Sequence, residues 1–313
     1  MSRQTLIALG GGGVSAVVSA AAASATPSAL LFVHLAPLPL FLVGLGGGAM
    51  AATIAGIGGL LIAGFLGGFL AAAVYAVIHA LPAWLVTRQS LRQRTLADGT
   101  VAWYPIGNAL AELAVLGAIV FFAATMAVWT DGGSIVGSVS SYLDTVLSII
   151  MPGLAEADRG PLVAMMTAIF PGVSAAWWLL IAVLNGVLAQ AILTRMGKSL
   201  RPSPRYSDLT APDWLSWLVV GAAAMALFGP GELEYMGRNL VMILAVPYFL
   251  VGLAVAHSLV ARLPSPGMLL AVFYIVVIFS GWAMMAIAGV GLIEQWVGLR
   301  RRFAAPGNGQ EVE

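Results

Sequence analysis

An asparagine and a glutamate within one apolar stretch are the polar pair best placed for chemistry. Asn108 and Glu112 follow a turn sequence that begins at Tyr104. Their spacing of four residues puts both side chains on one face of a helix, and Glu112 then lies roughly 10 Å into that helix by helical rise. A carboxylate at that depth in lipid needs a partner or a proton. The pair is predicted either to bind a ligand or coupling ion, or to form an interhelical hydrogen bond that stabilises packing.

A second polar set occupies a short turn between two apolar segments. It consists of Glu232, Glu234, Arg238 and Asn239. Arg238 and Asn239 precede an apolar helix whose first N–H groups can bind an incoming ligand. The sequence therefore predicts that these four residues line the mouth of a ligand pocket that opens outward. The alternative is a solvated loop with a local ion pair.

The other polar residues do not form the sets that common catalytic and metal sites require. The chain has no cysteine, and its three histidines, His34, His79 and His257, are far apart in the sequence, which argues against thiolate sites and helix-borne metal sites. It has neither a Gly-x-Ser-x-Gly motif nor a Gly-x-x-x-x-Gly-Lys phosphate loop. We expect no enzyme activity, no metal and no cofactor. No basic stripe with interleaved aromatic residues suggests nucleic acid as a partner.

Composition indicates an integral membrane protein. Of the 313 residues, 60% are hydrophobic and only 9% are charged, whereas soluble domains carry about 25% charged residues. Apolar segments of the length that crosses a bilayer recur along the chain. We predict an all-α fold, a polytopic transmembrane helix bundle of eight to ten helices whose surface contacts the lipid bilayer. The bundle forms one integral membrane domain over residues 1–303, and residues 304–313 form a short disordered tail. The first 25 residues are interpreted as a membrane helix, with a cleaved signal peptide as the alternative.

Clusters of basic residues predict the topology. They lie at 88–94, 195–205 and 300–302, and basic loops are retained on the cytoplasmic side. Residues 29–86 must then cross three times, and the acidic connection at 131–159 lies outside, with an amphipathic helix over 139–151 at the outer surface. The last third leaves two alternatives. Either its final 30 residues form a hairpin of two short helices, or one earlier span is misassigned.

Short motifs near the C-terminus resemble a known family. The sequence Gly-Leu-Ile-Glu-Gln-Trp at 291–296, followed by Arg300, is similar to the Gly-(Leu/Ile)-Asp-x-Trp ending of the YybS-like family of bacterial polytopic membrane proteins. Glu294 stands where an aspartate is more usual. The segments at 209–214 and 237–239 also look similar. The resemblance implies a bacterial cytoplasmic (inner) membrane protein, distantly similar to the substrate-capture subunits of energy-coupling-factor transporters, which bind a small molecule and dock onto an ATP-driven module.

These observations lead to one main hypothesis and two alternatives. The main hypothesis is small-molecule transport or substrate capture without an ATPase of its own. The protein would bind a small polar metabolite and obtain energy through a membrane protein partner. The first alternative is a scaffold or assembly factor without transport activity, whose polar groups only pack helices and which needs no enclosed cavity. The second is a proton- or ion-coupled permease, which requires Glu112 to face water.

Overall fold

The computed structural model describes residues 1–21 and 26–302, and most of them are helical. The predicted all-α bundle is therefore confirmed. The tail predicted at 304–313 and residues 22–25 of the N-terminal segment lie outside the described residues. The helices of the first third are α1 (Arg3–Ala20), α2 (Pro27–Phe32), α3 (Pro37–Gly47), α4 (Ala49–Tyr75) and α5 (Leu81–Ser90). A 3₁₀ turn at Val33–Leu35 joins α2 to α3, and a π-helical turn at Ala76–Ala80 joins α4 to α5.

A small β-hairpin separates these helices from the rest of the chain. Strands β1 (Gln93–Thr95) and β2 (Val101–Trp103) are antiparallel, with Arg94 opposite Ala102. The later helices are α6 (Ile106–Thr130), α7 (Ile135–Ile150), α8 (Glu156–Thr167), α9 (Phe170–Arg195), α10 (Asp213–Phe228), α11 (Glu232–Leu244), α12 (Val246–Val260), α13 (Pro266–Phe279), α14 (Gly281–Val297) and α15 (Leu299–Arg302). A 3₁₀ turn at Tyr206–Asp208 lies in the loop before α10.

Gly68 divides the longest helical stretch, Ala49–Ser90, into two antiparallel legs. Its φ of 76° and ψ of −172° are non-helical, a conformation open to glycine but costly for residues with a Cβ. The two legs contact each other both close to this turn and far from it. Trp84 Nε1 donates to Thr53 Oγ1 at 3.1 Å, and a Cβ on Gly64 would lie 3.3 Å from that of Ala72. Residues 29–86 thus contain Val33–Gly47 and the two legs of Ala49–Ser90, and their three crossings of the membrane stay a prediction.

Four helical stretches are long and apolar enough to cross a membrane, namely Ala49–Ser90, Ile106–Thr130, Phe170–Arg195 and Glu232–Val260, and the bent pair α13–α14 makes a fifth. When the two legs at Gly68 are counted separately and α1, Val33–Gly47, α7 and α10 are added, the described residues contain ten apolar segments. Only four or five stretches are long enough to count as spans, so the number of eight to ten membrane helices stays a prediction. The segments Val33–Gly47 and α10 are shorter than about 20 residues.

Two hydrophobic cores hold the bundle together, and α9 contributes to both. Leu179 packs with Leu113 and Ile243 in the core formed by α6, α9, α10, α11 and α12. Leu193 packs with Phe41 in the core formed by α1, α3, α4 and α5. Large apolar side chains instead cover the outside of the bundle, where Phe65 is 91% and Phe279 85% exposed. Such a surface suits lipid rather than water.

Helices α7 and α8 form a small separate unit. The amphipathic helix expected at 139–151 is present as α7, and its buried Leu143 and Leu147 pack against Val163 of α8. Helix α8 ends and α9 begins at Ala168 and Ile169. Pro171 lies in the first turn of α9, a position that tolerates its missing N–H.

Two short helices, rather than one straight span, form the C-terminal segment. Helices α13 and α14 meet at an angle of 114°. Gly252 and Gly291 let α14 cross α12 with backbone in contact, because neither position has space for a Cβ. Beyond this crossing, Arg300 Nη2 donates to the Leu209 carbonyl at 2.9 Å, while Arg201 Nη1 donates to the Ser90 carbonyl at 2.8 Å. All three basic clusters therefore lie at one end of the bundle, which we call the basic end.

Candidate functional site

A cavity of about 400 Å³ lies at the basic end, and we call it the basic-end cavity. Its walls are mainly aliphatic side chains from α3, α5, α6, α9 and α12. A few polar residues converge on it, namely Ser90, Gln190, Arg201, Tyr206, Ser207 and His257. Its volume and lining are typical of small-molecule sites, which are mostly apolar with a few placed polar groups.

Arg201 is the one arginine or lysine among the residues that line this cavity. The residue is only 9% exposed, and its guanidinium donates from Nη1 to the carbonyls of Ser90 at 2.8 Å and Tyr104 at 3.0 Å. It also lies over the Trp103 ring, 5.6 Å from the centroid. Desolvation lowers the pKa of Arg201, yet an arginine remains charged at any physiological pH.

The loop that carries Arg201 is held onto α9 by Gln190. The Gln190 amide donates to the Arg201 carbonyl and to Ser199 Oγ, both at 2.8 Å. Thr194 Oγ1 and Ser203 Oγ are 3.0 Å apart one turn further along α9. The following segment contributes Tyr206 and further residues to the cavity wall. This loop therefore covers the cavity at the basic end.

Glu112 and Asn108 lie together beside the cavity, on the face that their spacing predicted. Glu112 accepts hydrogen bonds from the Tyr104 hydroxyl at 2.5 Å and from the Gln89 amide. Arg92 donates to Gln89 Oε1 at 3.1 Å and lies over the Tyr104 ring. The hydrogen bond to Glu112 is the main reason that the pKa of Tyr104 is raised, and the contact with Asn108 offsets only part of this effect. Both carboxylate oxygens thus bind side chains of α5 and of the β-hairpin, in agreement with the packing alternative.

Asn239 is completely buried, and its side chain connects two helices by hydrogen bonds. Its side-chain oxygen accepts from the Gly172 N–H at 2.7 Å, and its amide nitrogen donates to the carbonyls of Tyr235 at 2.9 Å and Ala168 at 3.3 Å. The residue has no exposed surface. Every polar atom of the side chain is therefore occupied by the backbone at the α8–α9 junction and in α11.

The three charged residues predicted beside Asn239 lie near the surface. Arg238 pairs with Glu234 one turn away, and both side chains are more than a third exposed. Glu232 accepts a hydrogen bond from the Trp129 indole, at the end of α6. Neither the basic-end cavity nor the second cleft described below is lined by these residues or by Asn239. Their assignment to an outward-facing pocket stays a prediction.

A second, more polar cleft of about 520 Å³ lies between the loop before α10 and the end of α14. Its charged residues are Asp208, Asp213, Glu294, Arg300 and Arg301. Among the residues that the structure describes, no three histidine, aspartate or glutamate side chains gather closely enough to hold a metal ion. The charges in this cleft are partly neutralised by one another, through the Arg300–Glu294 ion pair.

A family comparison agrees with this architecture. Residues 13–294 match the family described as "Predicted membrane protein (DUF2232)". The chain belongs to the DUF2232 family. No curated protein and no solved structure matches it. Because the family match covers most of the chain, the membrane location of this DUF2232 protein rests on both its family and its apolar helices.

The sequence pointed to Glu112 and Asn108 but not to Arg201, which is the charged residue of the cavity. Arg201 was assigned only to a basic loop. A hairpin turn in the segment that contacts Arg201 could be predicted from the sequence. Asp98-Gly99 is a typical hairpin turn, and Gly99 has a φ of 80°. That turn brings Trp103 and Tyr104 back toward α5, where they contact Arg201. Local sequence patterns alone do not reveal the contact.

Proposed function

We propose that this DUF2232 protein is a small-molecule transport or substrate-capture protein of the bacterial cytoplasmic membrane, without an ATPase of its own. The basic-end cavity is the observation that supports this proposal. It combines about 400 Å³ of space with aliphatic walls and a few converging polar groups, and such sites are the usual places for small ligands. A scaffold that only packs helices has no need of this cavity.

The orientation follows from the charge distribution. The three basic clusters share one end of the bundle, and membrane proteins keep such loops in the cytoplasm. The basic-end cavity then lies in the cytoplasmic half of the bundle. Ligand would exchange on that side in the state that the structure shows, and a membrane protein partner would supply the energy for any transport.

The permease alternative receives less support from the structure. It requires Glu112 to face water, whereas both of its oxygens accept hydrogen bonds from protein side chains. Glu112 also does not line the basic-end cavity. The resemblance to the YybS-like family and to energy-coupling-factor capture subunits agrees with the capture proposal, but it identifies no ligand.

Filling the cavity tests the proposal. Val187 lines the cavity on α9, and Val187→Trp should occupy its space. Leu184→Trp adds the same indole on the outer side of α9, where Leu184 is 58% exposed. Purified full-length proteins would be screened by thermal unfolding against a metabolite and lipid extract. One fraction of the extract should stabilise both the wild type and Leu184→Trp. The same fraction should not stabilise Val187→Trp. Equal stabilisation of all three, or of none, would contradict the proposal.

A further inference from the structure

The basic-end cavity contains a buried cation without a carboxylate partner. Arg201 is 9% exposed, and none of the ion pairs among the described residues includes it. The residues that line the cavity include no aspartate or glutamate. A buried charge is costly unless it is paired and hydrogen-bonded. Two backbone carbonyls accept hydrogen bonds from Arg201, but they carry no net negative charge.

The Arg201 guanidinium also has N–H groups beyond those that bind the two carbonyls. Both side-chain hydrogen bonds that the described residues show for Arg201 start from Nη1, and a guanidinium carries five N–H donors in a planar fork. That fork matches a carboxylate or phosphate group. Nearby, the Gln190 amide holds the backbone of Arg201 in place. The arginine is thus positioned by the fold before any ligand binds.

The remainder of the cavity is suited to an apolar chain. Its walls include Leu45, Leu110, Val183, Leu250 and Leu253. The volume of about 400 Å³ corresponds to on the order of a dozen liquid-water volumes. A single alkyl chain of moderate length fits this space.

We propose that the basic-end cavity binds a single-chain acidic amphiphile, whose carboxylate or phosphate head group pairs with Arg201 and whose chain lies among α6, α9 and α12. This inference rests on the proposed function and specifies the ligand class. The head-group chemistry is shared by free single-chain acids and by anionic bilayer lipids. The size of the cavity favours the free single-chain acid.

Paired probes separate the contributions of charge and chain. Full-length protein in phosphatidylcholine nanodiscs would be titrated with dodecanoate, dodecyl phosphate, dodecanol and dodecyltrimethylammonium, and also with acetate and inorganic phosphate. Thermal unfolding and native mass spectrometry would report binding. The two anionic amphiphiles should bind about tenfold or more tightly than dodecanol, as expected for a charge-assisted bidentate pair. Acetate and phosphate should show no binding at the same concentrations.

Variants assign this preference to the arginine. Arg201→Gln should reduce the ratio between dodecanoate and dodecanol affinity to about one, and Arg201→Lys should keep part of it because the positive charge remains. Arg205→Gln is the matched control, since Arg205 is an exposed basic residue of the same loop that does not line the cavity. It should keep the full ratio. If Arg201→Gln does not fold, the Lys variant and the paired probes on the wild type still decide the question.

The outcomes separate this inference from the proposed function. Equal affinity for dodecanoate and dodecanol, both abolished by Val187→Trp, would overturn the head-group assignment and leave the cavity as a binding site. Binding of only short polar metabolites would overturn the amphiphile class in the same way. Equal competition by phosphatidylglycerol nanodiscs would reassign the ligand to a bilayer lipid. Amphiphile binding that Val187→Trp does not change would contradict both proposals.

Discussion

Arg300 Nε lies 2.8 Å from the carboxylate of Glu294, and both side chains are largely buried. The same guanidinium donates to the carbonyls of Ser207 at 2.5 Å and Leu209 at 2.9 Å. The ion pair fixes Arg300 at the end of α14, and the hydrogen bonds of Arg300 hold the loop that covers the basic-end cavity. Together with Arg201, which binds the loop to α5 and the β-hairpin, it attaches both ends of this cover.

Removing Arg300 should release the cover. Arg300→Ala leaves Glu294 as a buried carboxylate without its partner, a change that costs about 3 kcal/mol of unfolding free energy in buried pairs. We expect a lower unfolding temperature and faster trypsin cleavage after Arg205. Arg302→Ala is the control, because Arg302 is exposed and its removal should change neither measurement. Unchanged trypsin sensitivity in Arg300→Ala would show that the ion pair does not hold the loop.

Truncation to alanine should lower stability strongly at Asn239 and hardly at all at its neighbour Arg238. Asn239→Ala removes the side-chain partner of the Gly172 N–H and of the Ala168 carbonyl, and each buried orphan costs about 1–3 kcal/mol. Arg238→Ala breaks only an exposed pair, worth about 0.5 kcal/mol. Thermal unfolding in detergent should show a large loss for the first variant and almost none for the second. A stable Asn239→Ala that fails to bind ligand would instead support the outward-facing pocket.

The crossing of α12 and α14 depends on two glycines without space for a side chain. In Gly291→Ala the new Cβ would meet the Tyr248 carbonyl, and in Gly252→Ala it would meet that of Ile287. Each substitution should separate the helices and lower the unfolding temperature. At Gly289 on α14 a Cβ meets nothing within 4 Å, so Gly289→Ala should be neutral or slightly stabilising, since alanine favours the helix by about 1 kcal/mol. Similar losses for all three would show that the crossing is not responsible.

The absence of cysteine makes the topology directly measurable. Single-cysteine variants Arg94→Cys, Arg205→Cys and Gly153→Cys place a thiol at exposed positions. In intact spheroplasts a membrane-impermeant maleimide should label Gly153→Cys only, and in inverted vesicles it should label the other two. Labelling of Arg94→Cys and Arg205→Cys from opposite sides would contradict the common basic end.

Particular residues show how far sequence reasoning reached. The helix face of Asn108 and Glu112 follows from a local spacing, and the structure brings both to Tyr104. The partner of Glu112 on α5, Gln89, was not predictable, because it is 23 residues away and reaches Glu112 only after the β-hairpin reverses the chain. For Asn239 the sequence suggested a ligand, whereas in the structure its polar atoms bind backbone groups of the α8–α9 junction and of its own helix α11.

The membrane character and the apolar helical segments of the chain were determined by the sequence itself, because hydropathy and the positions of proline and glycine are local properties of each segment. Tertiary structure alone decided which polar groups became buried together. Arg201 meets the Ser90 carbonyl 111 residues earlier in the chain and that of Tyr104 97 residues earlier. The cost of burying a charge depends on such distant contacts, so the one cation in the cavity wall becomes visible only in the folded protein.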